Sequence, residues 1–110
     1  MANEYARVLK TVIADTAKAQ NTDLFAADFQ MVRQDSTIRI SIAGTAAVKV
    51  RLVPSTGTGF YLKAGVALVA NSVHTEDVAL DQGRTWNIQT DDGSGITVTH
   101  CVVQELSNIA

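Results

Sequence analysis

A regular alternation of apolar and polar residues over residues 37–53 is the feature that most constrains the fold of this chain. Isoleucine recurs at every second position in the first half of this stretch, and valine or leucine does so in the second half. Successive side chains of a β-strand point to opposite faces, so both halves predict strands with one buried and one solvated face. Residues 43–45 indicate a turn, and we interpret the whole stretch as a β-hairpin with Arg39, Lys49 and Arg51 on its outer face.

Turn-forming residues divide the chain after residue 54 into further short segments. These segments are apolar at alternate positions, which places some side chains in the core and others in solvent. Phe60, Leu62, Trp86 and Ile88 are predicted to face inward, and Tyr61, Asn87 and Gln89 outward. The last segment, residues 96–106, changes the parity of its apolar positions, which predicts a β-bulge near His100.

The number and spacing of these segments predict the fold class. The chain has 110 residues, enough for one domain with a single core. About seven to nine short strands, with turns about every 8 to 12 residues, are typical of all-β proteins. We therefore predict an all-β fold, an antiparallel β-sandwich or a jelly roll.

The N-terminal thirty residues allow two interpretations. Tyr5, Val8, Leu9, Val12 and Ile13 follow the spacing of an amphipathic helix. The β-branched residues over residues 7–14 instead favour a strand that is apolar on both faces. We favour the strand because the downstream segments are all β, and we regard residues 1–30 as a candidate arm or interface segment.

Charge and cysteine content argue against several functions. The net charge is −2 and the nine basic residues are scattered singly, whereas a nucleic-acid surface gathers them on one face. No stretch approaches the ~20 apolar residues of a membrane span, and the N-terminus lacks the pattern of a signal peptide. Cys101 is the only cysteine, so an internal disulfide is excluded. We expect a buried, inert thiol and synthesis in a reducing cytoplasm.

Few residues offer catalytic or ligand-binding chemistry. His100 lies within a strand segment and His74 in a predicted exposed turn, so we predict that neither is a catalytic base. Trp86 shares the parity of Ile88 and is predicted in the core. We predict no enzyme activity, catalytic residue, cofactor or metal site. Whether two groups of carboxylates bind a cation stays open: Asp91 with Asp92, and Glu76 with Asp77 and Asp81.

Residues 7–13, 29–33, 38–53 and 78–88 together resemble small β-sandwich virion proteins of tailed bacteriophages. Such accessory proteins decorate capsids or sit at head and tail junctions. The resemblance implies a capsid decoration (cement) protein that clamps neighbouring shell subunits, often as a homotrimer. Its partners would be the major capsid protein or other virion proteins, and its location the virion, after synthesis in the host cytoplasm.

Apolar residues near the two termini are the candidates for such contacts. They are Val8, Leu9, Val12, Ile13, Leu106 and Ile109. The alternative function is a ligand-binding β-sandwich module, such as a carbohydrate- or receptor-binding tip of a phage tail or a bacterial protein. A shell-binding protein should carry aliphatic surface at its termini and edges, whereas a carbohydrate-binding module should show Tyr61 beside other aromatic residues in a groove.

Overall fold

A computed structural model describes residues 3–12, 16–18, 21–30, 37–80, 83–91 and 96–109. At residues 3–6, 16, 18, 96 and 107–109 the description covers the backbone alone. The described chain forms eight strands, all paired antiparallel. They are β1 (Asn3–Val12), β2 (Thr16–Lys18), β3 (Thr37–Gly44), β4 (Lys49–Pro54), β5 (Phe60–Tyr61), β6 (His74–Val78), β7 (Trp86–Asp91) and β8 (Ile96–Ile109). A single 3₁₀ turn, Leu62–Gly65, follows β5.

The larger sheet is built around β8, a strand of 14 residues. β3 pairs with one side of β8 and, on its own far side, with β6. On the other side of β8 lies β1, with β2 continuing along the same strand. The N-terminal residues therefore form a strand of this sheet, and the helical interpretation of residues 5–13 is wrong for those that are described.

The smaller sheet has the order β5-β4-β7. The free side of β7 is covered by the segment of residues 21–29, which we call the edge segment. Its backbone hydrogen bonds run from Asn21 N to Thr90 O, Leu24 N to Ile88 O and Phe29 N to Trp86 O, at 2.9, 2.8 and 2.8 Å. Covering an edge in this way satisfies backbone groups that would otherwise be open to another chain.

The structure corrects the predicted hairpin of residues 38–53. β3 lies in the larger sheet and β4 in the smaller one, so the two strands are not paired with each other. Their predicted inner faces are nevertheless right, because Ile40 and Val50 are both buried in the same core. Alternation of apolar residues predicts which face of a strand is buried. It does not predict whether two such strands pair in one sheet or lie in two sheets that face each other.

The core lies between the two sheets, as an all-β sandwich requires, and the predicted fold class is confirmed. Trp86 and Cys101 are buried, as predicted. The predicted bulge near His100 is also confirmed, because the β3–β8 register shifts where Ala43 pairs with His100 and Gly44 with Val98.

The predicted side-chain directions of two residues in the smaller sheet are wrong. Asn87 was predicted to face solvent but is buried, because the edge segment covers its side of β7. Phe60 was predicted in the core but is 37% exposed. The strand that begins at Phe60 ends after two residues, since Lys63 and Ala64 adopt left-handed backbone angles, with φ of 53° and 51°.

Candidate functional site

The structure places the six predicted interface residues in different surroundings. Val8 has an exposed side chain, at 53%, on the outer strand of the larger sheet. Leu9 and Val12 are partly buried and pack against the core, and Leu106 is buried. Ile13 lies outside the described residues, and the backbone of Ile109 pairs with that of Asn3. The terminal strands thus pair mainly with each other, and among the described side chains of this set Val8 provides the exposed apolar surface.

A second apolar surface lies between the 3₁₀ turn and β6. Three side chains there are largely exposed: Val66 at 56%, Val69 at 62% and Val73 at 57%. We call residues 66–73 the valine loop. The sequence shows an apolar run here without alternation, which is typical of a buried segment, so no local signal identifies the exposure of these valines.

The valine loop has a defined backbone conformation. The Leu68 N–H donates to the carbonyl of Val48 and the Asn71 N–H to that of Gly44, both at 2.8 Å. The side chain of Leu68 is buried in the core between the exposed valines. The loop is therefore attached to the connection between the two sheets, and its valines are held outward by a fixed backbone.

A depression of about 340 Å³ lies on the smaller sheet, beside β4 and β5. We call it the aromatic depression, because Phe60 and Tyr61, 37% and 38% exposed, both line it. Its other lining residues are Arg51, Val53, Gly57, Thr58 and Gly59. Outward-facing Tyr61 was predicted from alternation. The sequence did not predict that Phe60 and Arg51 line the same depression as Tyr61, because their proximity depends on the pairing of β4 with β5.

Neutral amide groups hold the side chain of Arg51. Its Nη2 donates to Oδ1 of Asn21 at 2.9 Å and to Oε1 of Gln89 at 2.8 Å. The Gln89 amide is oriented in turn, because its Nε2 donates to Oδ1 of Asp23 at 2.8 Å. These hydrogen bonds fix the position of the guanidinium. It forms no ion pair within the described part of the chain, so no carboxylate in contact neutralises its charge.

Tyr61 is oriented by the last residue of β7. Its hydroxyl donates to Oδ2 of Asp91 at 2.7 Å. That hydrogen bond raises the pKa of the Tyr61 phenol, desolvation and the charge of Asp91 add to the effect, and Arg51 opposes it. Lys49 Nζ lies 6.0 Å from the centre of the ring. The depression therefore combines a neutral phenol, hydrogen-bonded to a carboxylate, with two nearby cations.

The candidate carboxylates and histidine are engaged with groups of the chain itself. Oε1 of Glu76 lies 2.9 Å from Nε2 of His74 and accepts the N–H of Lys63 at 2.7 Å. Asp77 accepts two hydrogen bonds from Arg39, at 2.8 and 3.1 Å. Asp81 and Asp92 lie outside the described residues. Within the described ranges no group of three or more His, Cys, Asp or Glu side chains could hold a metal ion.

Comparison of the chain with protein-family models, with curated proteins and with solved structures finds no match. Among the described residues, no helix has the length and apolar character needed to cross a membrane. The functional argument therefore depends on two surfaces of the molecule itself, the valine loop and the aromatic depression.

Proposed function

We propose that this chain is a non-enzymatic structural virion protein, a capsid decoration protein that binds and stabilises a phage shell. The observation that carries the proposal is the valine loop, with three largely exposed valines on a loop of eight residues. Contiguous exposed apolar surface marks sites of interaction with other proteins. Each valine is 56–62% exposed, so its burial against a partner would stabilise the complex by roughly 1 kcal/mol.

The fixed backbone of the valine loop also favours binding. Two hydrogen bonds and the buried Leu68 hold the loop, so little conformational entropy is lost when a partner covers it. If the protein binds only assembled shell subunits, every bound copy shifts the equilibrium toward the assembled shell by mass action. The partner in this proposal is the major capsid protein or another virion protein.

The edge formed by β1 supports self-association, with a homotrimer as the proposed state. β1 pairs with β8 on one side, and its exposed Val8 lies on the outer strand of the larger sheet. An outer strand offers backbone groups to a second chain, and an exposed valine adds apolar contact. The register shift between Val8 and Lys10 twists this edge, so that a contact would use the part of β1 before residue 9.

Cosedimentation tests the shell-binding proposal. The full chain is mixed with capsid shells assembled from the major capsid protein of the genome that encodes it, and is expected to pellet with them. A V66K/V69K variant should stay in the supernatant, whereas A79K, a change at an exposed alanine away from the loop, should pellet like the parent. A parent chain that does not pellet with the shells refutes the proposal.

Light scattering tests the oligomeric state. The full chain is expected to have the mass of a trimer and V8K that of a monomer, with unchanged thermal unfolding of the secondary structure. Point variants are needed here, because deletion of β1 would also remove the partner of β8 along nine registered residue pairs. A monomeric parent chain would contradict the trimer.

A second candidate function is a ligand-binding module, and the aromatic depression favours it. Phe60 and Tyr61 line one concave surface together with Arg51, as a ligand-binding groove would require. Its volume of about 340 Å³ lies at the lower end of the ~300–1,000 Å³ of small-molecule sites. Binding of any saccharide at this surface, measured by calorimetry, would support this candidate.

A further inference from the structure

We infer that the aromatic depression binds a saccharide that carries a carboxylate group. The inference rests on the second candidate function and names the chemical class of its ligand. Three properties of the depression lead to it: a preformed wall, a positioned cation and adjacent aromatic side chains.

The wall of the depression is preformed by close packing. Gly59 approaches β4 so closely that a Cβ atom added there would lie 2.0 Å from the carbonyl oxygen of Leu52. The ring of Phe60, the next residue, packs edge-on against that of Trp86, with ring centroids 5.9 Å apart. The guanidinium of Arg84 lies 4.8 Å from the Trp86 centroid, and its Nη1 donates to the carbonyl of Thr56 at 3.1 Å. These contacts hold the loop of residues 56–59 in place, so a ligand meets an existing surface.

The cation in the depression is positioned to receive an anion. Two hydrogen bonds of Arg51 use Nη2, with the amides of Asn21 and Gln89 as acceptors. The remaining guanidinium nitrogens donate to neither of these amides, and the side chain lines the depression beside Tyr61. Because a guanidinium binds a carboxylate through charge-assisted hydrogen bonds, Arg51 favours a carboxylate-bearing ligand.

The carboxylates that contact Tyr61 and Gln89, two neighbours of Arg51, are engaged in hydrogen bonds with these side chains. Asp91 accepts the Tyr61 hydroxyl and Asp23 accepts the Gln89 amide. Lys49, close to the Tyr61 ring, adds a further positive charge. These two cations and two carboxylates balance in charge, but Arg51 is the charged residue among those that line the depression, so the surface that a ligand meets is positive there.

The aromatic side chains favour a saccharide over a simple anion. Tyr61 pairs with Arg51 and shares its face of the smaller sheet, so its ring can cover the C–H groups of a pyranose ring, and Phe60 lines the same depression. The Tyr61 hydroxyl, bonded to Asp91, and the backbone of residues 57–59 offer polar atoms to its hydroxyl groups. An acidic sugar combines these apolar, polar and anionic features in one ligand.

Calorimetry with matched oligosaccharides tests the inference. The probes are pairs that differ only in the carboxylate, namely trisaccharides that end in glucuronate or glucose, and in galacturonate or galactose. The full chain is expected to bind one acidic member at least about tenfold more tightly than its neutral counterpart. R51Q should remove this difference and Y61A should weaken both members. R39Q, which changes an arginine of the larger sheet, should leave both affinities unchanged.

The possible outcomes separate the inference from the candidate function on which it rests. Equal affinity for acidic and neutral members overturns the inference and leaves the ligand-binding module. An absence of binding to all members overturns both. Competition by acetate at the same concentration as the acidic saccharide overturns the saccharide assignment, because the site would then recognise a simple carboxylate. A preference that survives in R51Q, with unchanged thermal unfolding, overturns the role of Arg51.

Discussion

The side-chain amide of Asn87 forms hydrogen bonds with both backbone groups of Phe25, a residue 62 positions earlier in the chain. Oδ1 accepts the Phe25 N–H at 3.1 Å, and Nδ2 donates to the Phe25 carbonyl at 2.9 Å. Oδ1 also accepts the N–H of Ile88, and Nδ2 also donates to Asp28. One buried amide thus satisfies backbone groups that the edge segment cannot pair elsewhere, and it attaches that segment to β7.

Replacement of Asn87 by alanine should destabilise the protein by about 2–4 kcal/mol, because two buried backbone groups of Phe25 lose their partner. Urea unfolding followed by circular dichroism measures the change. Thr85→Ala is the matched control, since its hydrogen bond to Asp28 is exposed and water can replace it; it should cost less than about 1 kcal/mol. Equal losses in the two variants would show that the Asn87 amide has no special role.

A methyl group at position 59 should be tolerated far less well than one at position 65. Gly59→Ala places its Cβ against backbone oxygen of Leu52, so β4 or the loop must move, at a cost of about 2 kcal/mol or more. Gly65 has open space around it and a φ of +79°, so Gly65→Ala should cost about 1–2 kcal/mol from backbone strain alone. Thermal unfolding of both variants gives the comparison. A smaller loss for Gly59→Ala would contradict the close approach to Leu52.

The thiol of Cys101 should be unreactive in the folded protein. The side chain is completely buried, and desolvation raises its pKa to about 12. At pH 8 a thiol reagent such as DTNB should therefore react only as fast as the protein unfolds, and immediately in guanidinium chloride. Because the pKa is raised on folding, the same thiol contributes stability below its unfolded pKa that is lost as pH rises through the folded value. Rapid, stoichiometric labelling in native buffer would contradict the burial of Cys101.

The ion pair between Arg39 and Asp77 should stabilise the protein slightly above pH 4 and not in stronger acid. The hydrogen bond from Arg39 lowers the pKa of Asp77 below its ordinary value of 3.8. A lowered pKa contributes stability above the unfolded value, and that stability is lost as pH falls through the folded one. Both side chains are more than 40% exposed, so the effect should be under about 1 kcal/mol. Thermal unfolding of the parent and of Asp77→Asn is measured from pH 7 to pH 2.5. The difference in stability between them should vanish at the acidic end. A difference that stays constant with pH would rule out the ion pair as its cause.

The burial pattern of the strands could be predicted from the sequence, but the pairing of β3 with β4 could not. Ile38, Ile40 and Ile42 are buried as alternation predicts, because the face of a strand residue depends only on its position. The same inward face fits a neighbouring strand or a facing sheet equally well. The choice between them depends on β8, which occupies one side of β3, and on β6, which occupies the other.

The candidate surfaces were accessible to prediction only in part. Outward-facing Tyr61 follows from local alternation, as does outward-facing Arg51. The depression between them requires Gly59 to approach Leu52 and the edge segment to bring Asn21 to Arg51. Both are contacts between residues distant in sequence, and neither has a local signal.

By itself the sequence determined that this is an all-β chain with two-faced strands, an inert buried cysteine and a buried tryptophan, because side-chain periodicity and polarity are local properties. Only the tertiary structure decided which strands pair, which loop exposes its valines and which side chains surround Arg51. These depend on contacts between residues distant in the sequence, such as that between Asn87 and Phe25. Such a contact forms because each buried polar group needs a hydrogen-bond partner, and that partner cannot be identified from a short stretch of sequence.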